Sequence, residues 1–477
     1  IGYGCFCDGC VEKFNRDYGF SYSRKTLVSS LADENNIDLR RKWLHHQSEK
    51  IRGVLSAAAD TVYSINNSIK MGLMTGERYF EGFEFESWAQ ALSQNGRYNI
   101  MWRPGGGNYN DLDSREAVEK QIQTGRQCAG LPEYVDEICY ELESCPYSPL
   151  KKSPVSTANE GILSICSGCS GVAWNVMPKR LSDAENIFNA IRSKTPFMEL
   201  LSEKFKNGKN LGVYDGWHPQ AQAAVPDFFS DYGGRYAEGM DEIDLLGIPR
   251  SYNLHKASAF VLQGRQPLVF SDEEIRYILS RGVYMDADAA DILCKMGFGK
   301  YIGFKKGDET VDDLSEVCLN HPLNKGIEGE SRTCFSVFAK GKSYALIPEK
   351  GAAVISNIQD VDRNVKYPCA MGCFENELGG RVAVCGYFPW TDLSDYDKAL
   401  QMKRLFLYLS NNALEANIHS YHRLKLFVRE TDGGKFAAVV YNCNPDTIEN
   451  AEIRIRDNGE YIIADEHMKK SALKQIG

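Results

Sequence analysis

The feature that most restricts this chain is a regular alternation of helix-like and strand-like segments running to about residue 207. Residues 39–65 (LRRKWLHHQSEKIRGVLSAAADTVYSI) set Leu44, Ile51, Val54, Leu55 and Ala58 at three- and four-residue spacing, which predicts an amphipathic helix. Short apolar runs at 69–75 (IKMGLMT), 98–102 (YNIMW), 134–142 (YVDEICYEL) and 171–176 (GVAWNV) predict strands, the first two buried on both faces. Residues 83–92, 114–127, 156–167 and 183–207 predict the intervening helices, with Ser114 as a cap and a break at Pro196. Repeated strand–helix units build a parallel sheet wrapped by helices. Four such units behind a leading helix are expected as the second half of a (β/α)8 barrel. An open doubly wound sheet fits the same alternation.

A second α/β region follows, from the strand at 211–216 (LGVYDG) to the apolar helix at 396–410, interrupted between about 305 and 378 by β-rich sequence. From Tyr421 the pattern is strands and turns (RLKLFVRE, DGGK, FAAVVYN, AEIRI), a small β domain. The expected division is therefore 1–207, 208–415 and 416–477, in line with ~150 residues per domain for a chain of 477 residues. The net charge of −9 and the absence of any long Lys/Arg run argue against a nucleic-acid partner. No apolar stretch reaches the ~20 residues of a membrane span. Fifteen cysteines, an odd number in a chain able to build its own cores, suit reduced thiols and a cytoplasmic location. The chain begins at Ile1, inside the loop-like IGYGCFCDGC, so further sequence is expected upstream.

Barrel chemistry sits where strands end. Behind the four predicted strands stand Glu77, Arg78 and Tyr79; Arg103, Gly105–Gly107 and Tyr109; Glu141, Glu143 and Tyr147; and Trp174 with Asn175. Carboxylates for acid, base and nucleophilic work beside aromatic faces are what a sugar site requires, which makes a carbohydrate the expected partner. Glu137, Cys139, Glu141 and Glu143 alternate along one strand face, where an acidic stripe is costly unless paired or functional. The bland alternative puts Glu137 and Glu141 at the solvated edge of an ordinary sheet.

Residues 4–19 (GCFCDGCVEKFNRDYG) resemble the segment after the fourth barrel strand of glycoside hydrolase family 42 β-galactosidases and related clan A enzymes. The resemblance implies that the four predicted strands are strands five to eight. It also implies that Glu143, in Glu143-Ser-Cys-Pro146, is the nucleophile, with Leu142 where the family has Met. The family's acid/base Glu would then fall before Ile1. Residues 268–293 (LVFSDEEIRYILSRGVYMDADAADIL) are similar to part of the family's amidotransferase-like α/β domain, used in trimer formation, so a homo-oligomer is implied. The implied reaction is retaining hydrolysis of a β-linked glycoside such as a β-galactoside, with Glu77, Arg103, Tyr109, Glu141 and Trp174 as substrate-binding candidates and no catalytic cofactor. A sugar-binding relative without catalysis is the alternative.

Cys5, Cys7 and Cys10 offer three soft ligands within six residues, suited to structural zinc, which takes four. The resemblance implies a fourth Cys from a loop upstream. Three reduced surface thiols fit the same spacing. Cys166 and Cys169, although spaced C-x-x-C, are expected as small core residues. His45 and His46 are expected on a solvated helix face.

Overall fold

A computed structural model describes residues 4–76, 84–107, 110–112, 114–205, 208–229, 241–310, 314–333, 342–391, 393–457, 459 and 461–471. Three helices lead: α1 (Asp8–Tyr18), α2 (Arg24–Ala32) and α3 (Ile37–Ile65). They pack through Phe14, Leu27, Leu31, Trp43 and Leu44. His46, expected in solvent, is instead only 3% exposed and sits among the rings of Phe14, Tyr18 and Trp43. That burial, with Lys50 nearby, lowers its pKa to about 4.

Four parallel strands follow, β1 (Gly72–Thr75), β2 (Ile100–Pro104), β3 (Val135–Glu143) and β4 (Gly171–Asn175), neighbouring one another in chain order. Between and after them come α4 (Phe85–Leu92), α5 (Ser114–Ala129), α6 (Pro154–Ser167) and α7 (Leu181–Lys204). Ser153 caps α6 by accepting from the Ser156 N–H, and Pro154 fills the first turn where no N–H is needed. Contrary to the expected break, α7 runs through Pro196. The helices cover one side of the sheet: Trp102 joins Phe85 and Trp88, and Tyr140 and Leu142 join Val176 and Ile187. The expectation of strands buried on both faces is corrected accordingly, since the alternate residues Met101, Cys139 and Ala173 belong to none of the apolar clusters of the described residues.

Among the described residues the second sheet has nine strands. Its parallel part comprises β5 (Gly212–Tyr214), β6 (Arg250–Ser251), β7 (Ala257–Leu262), β8 (Gly282–Asp286) and, later in the chain, β15 (Arg381–Cys385), with α8 (Asp241–Leu245), α9 (Asp272–Leu279) and α10 (Ala287–Leu293) between and after the first four. The β-rich stretch contains β9 (Phe304–Glu309), β10 (Ser315–Cys318), β11 (Ser331–Thr333), β12 (Tyr344–Pro348), β13 (Ala353–Gln359) and β14 (Val365–Glu375), and β15 (Arg381–Cys385) and α11 (Tyr396–Leu409) follow it. The strand order is β11-β10-β13-β14-β15-β8-β7-β5-β6. The β-rich stretch is thus no separate insertion: β10, β11, β13 and β14 extend the same sheet by antiparallel pairing, and β9 pairs with β12 beside it. Alternate residues feed two cores, Val261, Tyr284 and Ala383 on one face and Phe260, Val283 and Val384 on the other.

The chain closes with β16 (Ala416–Ile418), the hairpin β17 (Leu424–Thr431) and β18 (Lys435–Asn442), and β19 (Ile453–Ile455). A buried chain of alternating charges joins the parts. Arg126 of α5 meets Asp215 at 2.6 Å, Arg250 meets Asp215 at 2.8 Å and Asp244 at 2.5 Å, and Lys425 of β17 also binds Asp244. Each charge has an opposite neighbour, which offsets the cost of removing it from water. No helix of the described residues is long and apolar enough to cross a membrane.

Candidate active site

Pairing register decides which side chains share the uncovered face of the first sheet. Glu141 stands opposite Ala173, Leu142 opposite Trp174 and Glu143 opposite Asn175. Successive side chains along a strand alternate faces. Leu142 is fully buried among the helices, so Glu141 and Glu143 point the other way, together with Arg103 from β2 and Asn175 from β4.

At the carboxyl end of this face two small constellations lie side by side. In the first, the Tyr147 hydroxyl donates to Glu143 Oε1 at 2.9 Å, and Asn175 Nδ2 stands 3.4 Å from the same oxygen and 3.1 Å from the Tyr147 hydroxyl. Tyr147 reaches back because the turn after β3 places it at φ 61°, a left-handed conformation that a side chain adopts only at some cost. Its N–H bonds the Ser144 carbonyl at 2.8 Å. Accepting its hydroxyl, Glu143 raises the Tyr147 pKa, so the phenol stays a donor at neutral pH. In the second, Arg103 Nη2 binds Glu141 Oε1 at 2.6 Å. Gly105 closes in behind: a Cβ there would stand 2.9 Å from Glu141 Oε2 and 3.2 Å from the Thr75 carbonyl, so a side chain would have to displace the Glu141 carboxylate.

The remaining candidates fall elsewhere. Trp174 shares the Leu142 side and packs on helix α6, where a Cβ on Gly161 would meet its ring at 2.5 Å; it is not at the rim with the carboxylates, and Asn175 takes that place. Counting strand parity from Leu142 would have found Asn175, but only the register supplies the count. Glu137 lies near the other end of β3, where Lys70 binds it at 3.2 Å and Asp136 at 2.6 Å, matching the bland reading for that residue. Glu77 and Tyr109 lie outside the described residues. Tyr147 was visible in the sequence only as one of several rim tyrosines.

Cys5, Cys7 and Cys10 converge, their sulfurs all within 4.8 Å of one another at the start of α1. Hydrogen bonds from the Cys10 backbone and from the Cys5 thiol lower the Cys7 pKa. This donor set fits three of the four soft ligands of zinc, and among the described residues no fourth His, Cys or acidic ligand joins it.

No protein-family model matches the chain, and no curated protein sequence matches it. Solved structures do. An α-L-fucosidase isoenzyme 2 from Paenibacillus thiaminolyticus matches 97% of this chain and 68% of its own at 9% identity, with a TM-score of 0.46. A β-galactosidase from the psychrophilic Marinomonas ef1 matches 83% of this chain and 64% of its own at 8% identity and TM-score 0.49. The exo-β-1,4-mannosidase Op5Man5 from Opitutaceae bacterium strain TAV5 matches 78% and 69% at 9% identity and TM-score 0.42. All three are glycoside hydrolases by name; at these scores the likeness carries no argument about the chemistry of this chain.

Proposed function

We propose that this chain is a glycosidase that acts on a β-linked glycoside, with Glu143 as nucleophile in a retaining mechanism. The observation that carries the reading is the Glu143–Tyr147–Asn175 constellation beside Glu141 and Arg103, on the face of a parallel sheet that the described helices leave open, at the carboxyl ends of its strands. The four strands are then the second half of a (β/α)8 barrel, and the uncovered face is its interior. Glu143 would attack the anomeric carbon. Tyr147 holds its carboxylate in place and shares its charge through the hydrogen bond, and the Asn175 amide is in reach of both for a sugar hydroxyl. Glu141, already the partner of Arg103, suits hydroxyl binding better than proton delivery. The proton donor, a carboxylic acid ~5–5.5 Å from the nucleophile, is expected from residues outside those described.

The test is a panel of aryl glycosides together with a 2-deoxy-2-fluoro glycoside that traps a glycosyl–enzyme. Hydrolysis that disappears in Glu143→Gln, with the trapped sugar on the peptide 127–151, is the expected result. Hydrolysis unaltered in Glu143→Gln removes the residue from the role. Sugar binding without hydrolysis by the full chain would make it a binding protein instead. We also propose a structural zinc on Cys5, Cys7 and Cys10, checked by metal analysis of Cys7→Ser against the unaltered chain, and a homotrimer, checked by light scattering.

A further inference from the structure

Behind the first sheet, away from the carboxylates, lies a group of buried thiols that the proposed reaction does not use. Cys128, at the end of α5, and Cys169, just before β4, bring their sulfurs to 3.8 Å, at 9% and 4% exposure. The approach is enforced by Gly168, at φ 128°: a Cβ there would stand 2.8 Å from Cys128 Cβ and 3.2 Å from Arg429 Nη1. Any side chain would push the two segments apart, so Ser167-Gly168-Cys169 is shaped around Cys128.

Arg429, from β17, is the second observation. It is 5% exposed, and among the described residues the partners of its guanidinium are an amide and two carbonyls, with no carboxylate. Nη1 donates to Asn210 Oδ1 at 2.7 Å, Nη2 to the carbonyls of Phe205 at 3.2 Å and Gly208 at 2.5 Å, and Nε has no partner. Burial lowers its pKa, and its guanidinium lines the same spot as the Cys128 thiol: a Cβ on Gly168 would stand 3.2 Å from Arg429 Nη1 and 3.4 Å from Cys128 Sγ. A buried cation without an anion is costly. Burial pushes the Cys166 thiol up to about 12 and the Cys169 thiol well above its ordinary range, so both rest protonated, and the first attack falls to Cys128, the most exposed of the three.

We propose that Cys128 and Cys169 are a redox-modified dithiol that a hydroperoxide converts to a disulfide, with Arg429 as the counter-charge of the attacking sulfur. Cys128, the more exposed of the pair, attacks the peroxide oxygen; the O–O bond breaks, Cys128 becomes a sulfenic acid and one water (or alcohol) leaves. The Cys169 sulfur then attacks the Cys128 sulfur, the S–O bond breaks, and a second water leaves with the Cys169 proton. Two thiols are oxidised by two electrons and one peroxide is reduced. Closing 3.8 Å to the ~2.05 Å of a disulfide asks for side-chain rotation and a small shift of the last turn of α5. That turn also carries Gln127, whose Nε2 donates to the Gly105 carbonyl at 2.7 Å and whose Oε1 accepts from Thr75 Oγ1 at 2.7 Å. Gly105 backs Glu141, so the modification reaches the backbone behind the carboxylate face.

The test treats the full chain with hydrogen peroxide, blocks remaining thiols after denaturation and maps disulfides by mass spectrometry without reduction. The expected product joins peptide 127–151 to peptide 153–179, with fragmentation placing the bond at Cys128 and Cys169. It is lost in Cys128→Ser and in Cys169→Ser, and kept in Cys139→Ser and Cys166→Ser. No cross-link at peroxide doses that oxidise the exposed Cys5 and Cys7 overturns the proposal, as does a bond placed at Cys139 or Cys166. Arg429→Met is expected to slow cross-linking at least tenfold; an unaltered rate in a folded variant removes Arg429 from the step. Where a variant does not fold, the map of the unaltered chain decides the pairing by itself.

Discussion

On β7, Phe260 and Val261 are adjacent and both fully buried, one in each of the two cores that flank the nine-stranded sheet. On β3, Leu142 is fully buried and its neighbour Glu143 is not. Both sheets have parallel strands with helices after them, yet among the described residues one is covered on both sides and the other on one. The contrast separates two reasons for a side chain to be where it is. In the central parallel strands of the second sheet nearly every position is chosen by packing. On the open face of the first, Arg103, Glu141, Glu143 and Asn175 occupy positions that packing leaves free, and polar groups persist there because they bond one another.

The contrast makes opposite demands on substitutions in the two sheets. Glu143→Gln should lower glycoside hydrolysis by about a thousandfold or more, with the melting temperature nearly unaltered, because the residue serves chemistry. An unfolding shift of several degrees would show that the open face is structural after all. Phe260→Ala should behave in the reverse manner and destabilise the protein by about 3–5 kcal/mol, read from chemical denaturation. A loss below about 1 kcal/mol would mean that the second core repacks freely.

A covered histidine gives a pH test of the same idea. His46 has a folded-state pKa of about 4 against 6.5 unfolded, so the unfolded chain takes up the proton first. Its contribution is whole above pH 6.5 and is lost as pH falls toward 4, about 3 kcal/mol over that window. His46→Gln should flatten this part of the stability–pH curve, and an identical slope in the variant would deny His46 the role. The smallest effect is expected for Arg103→Gln. With side chains 42% and 18% exposed, the Arg103–Glu141 pair contributes about 1 kcal/mol or less to stability, while KM should rise.

Much of the architecture was legible locally. Apolar runs and three-to-four spacing marked the four strands and their helices, because strand and helix periods are properties of neighbouring residues. The alternation Glu137, Cys139, Glu141, Glu143 already placed the carboxylates on one strand face. What could not be read was anything set by pairing at a distance. The β-rich stretch looked like an insertion, but β13 pairs β14 and β14 pairs β15, which brings it into the second sheet. Trp174 looked like a rim residue until its register with Leu142 turned it toward α6. Pro196 looked like a break, yet α7 continues through it. His46 differs from His45 by one residue, yet α1 covers only one of them.

By itself, then, the sequence determined the parallel strand–helix units of the first region, the acidic face of β3 and the convergence of Cys5, Cys7 and Cys10, all consequences of short-range spacing. The tertiary structure alone decided that Asn175 and Tyr147 attend Glu143, that Arg103 reaches Glu141, and that Cys128 meets Cys169 beside Arg429. Those contacts join residues on different elements, and a shift of one residue in strand register would reverse which side chains share a face.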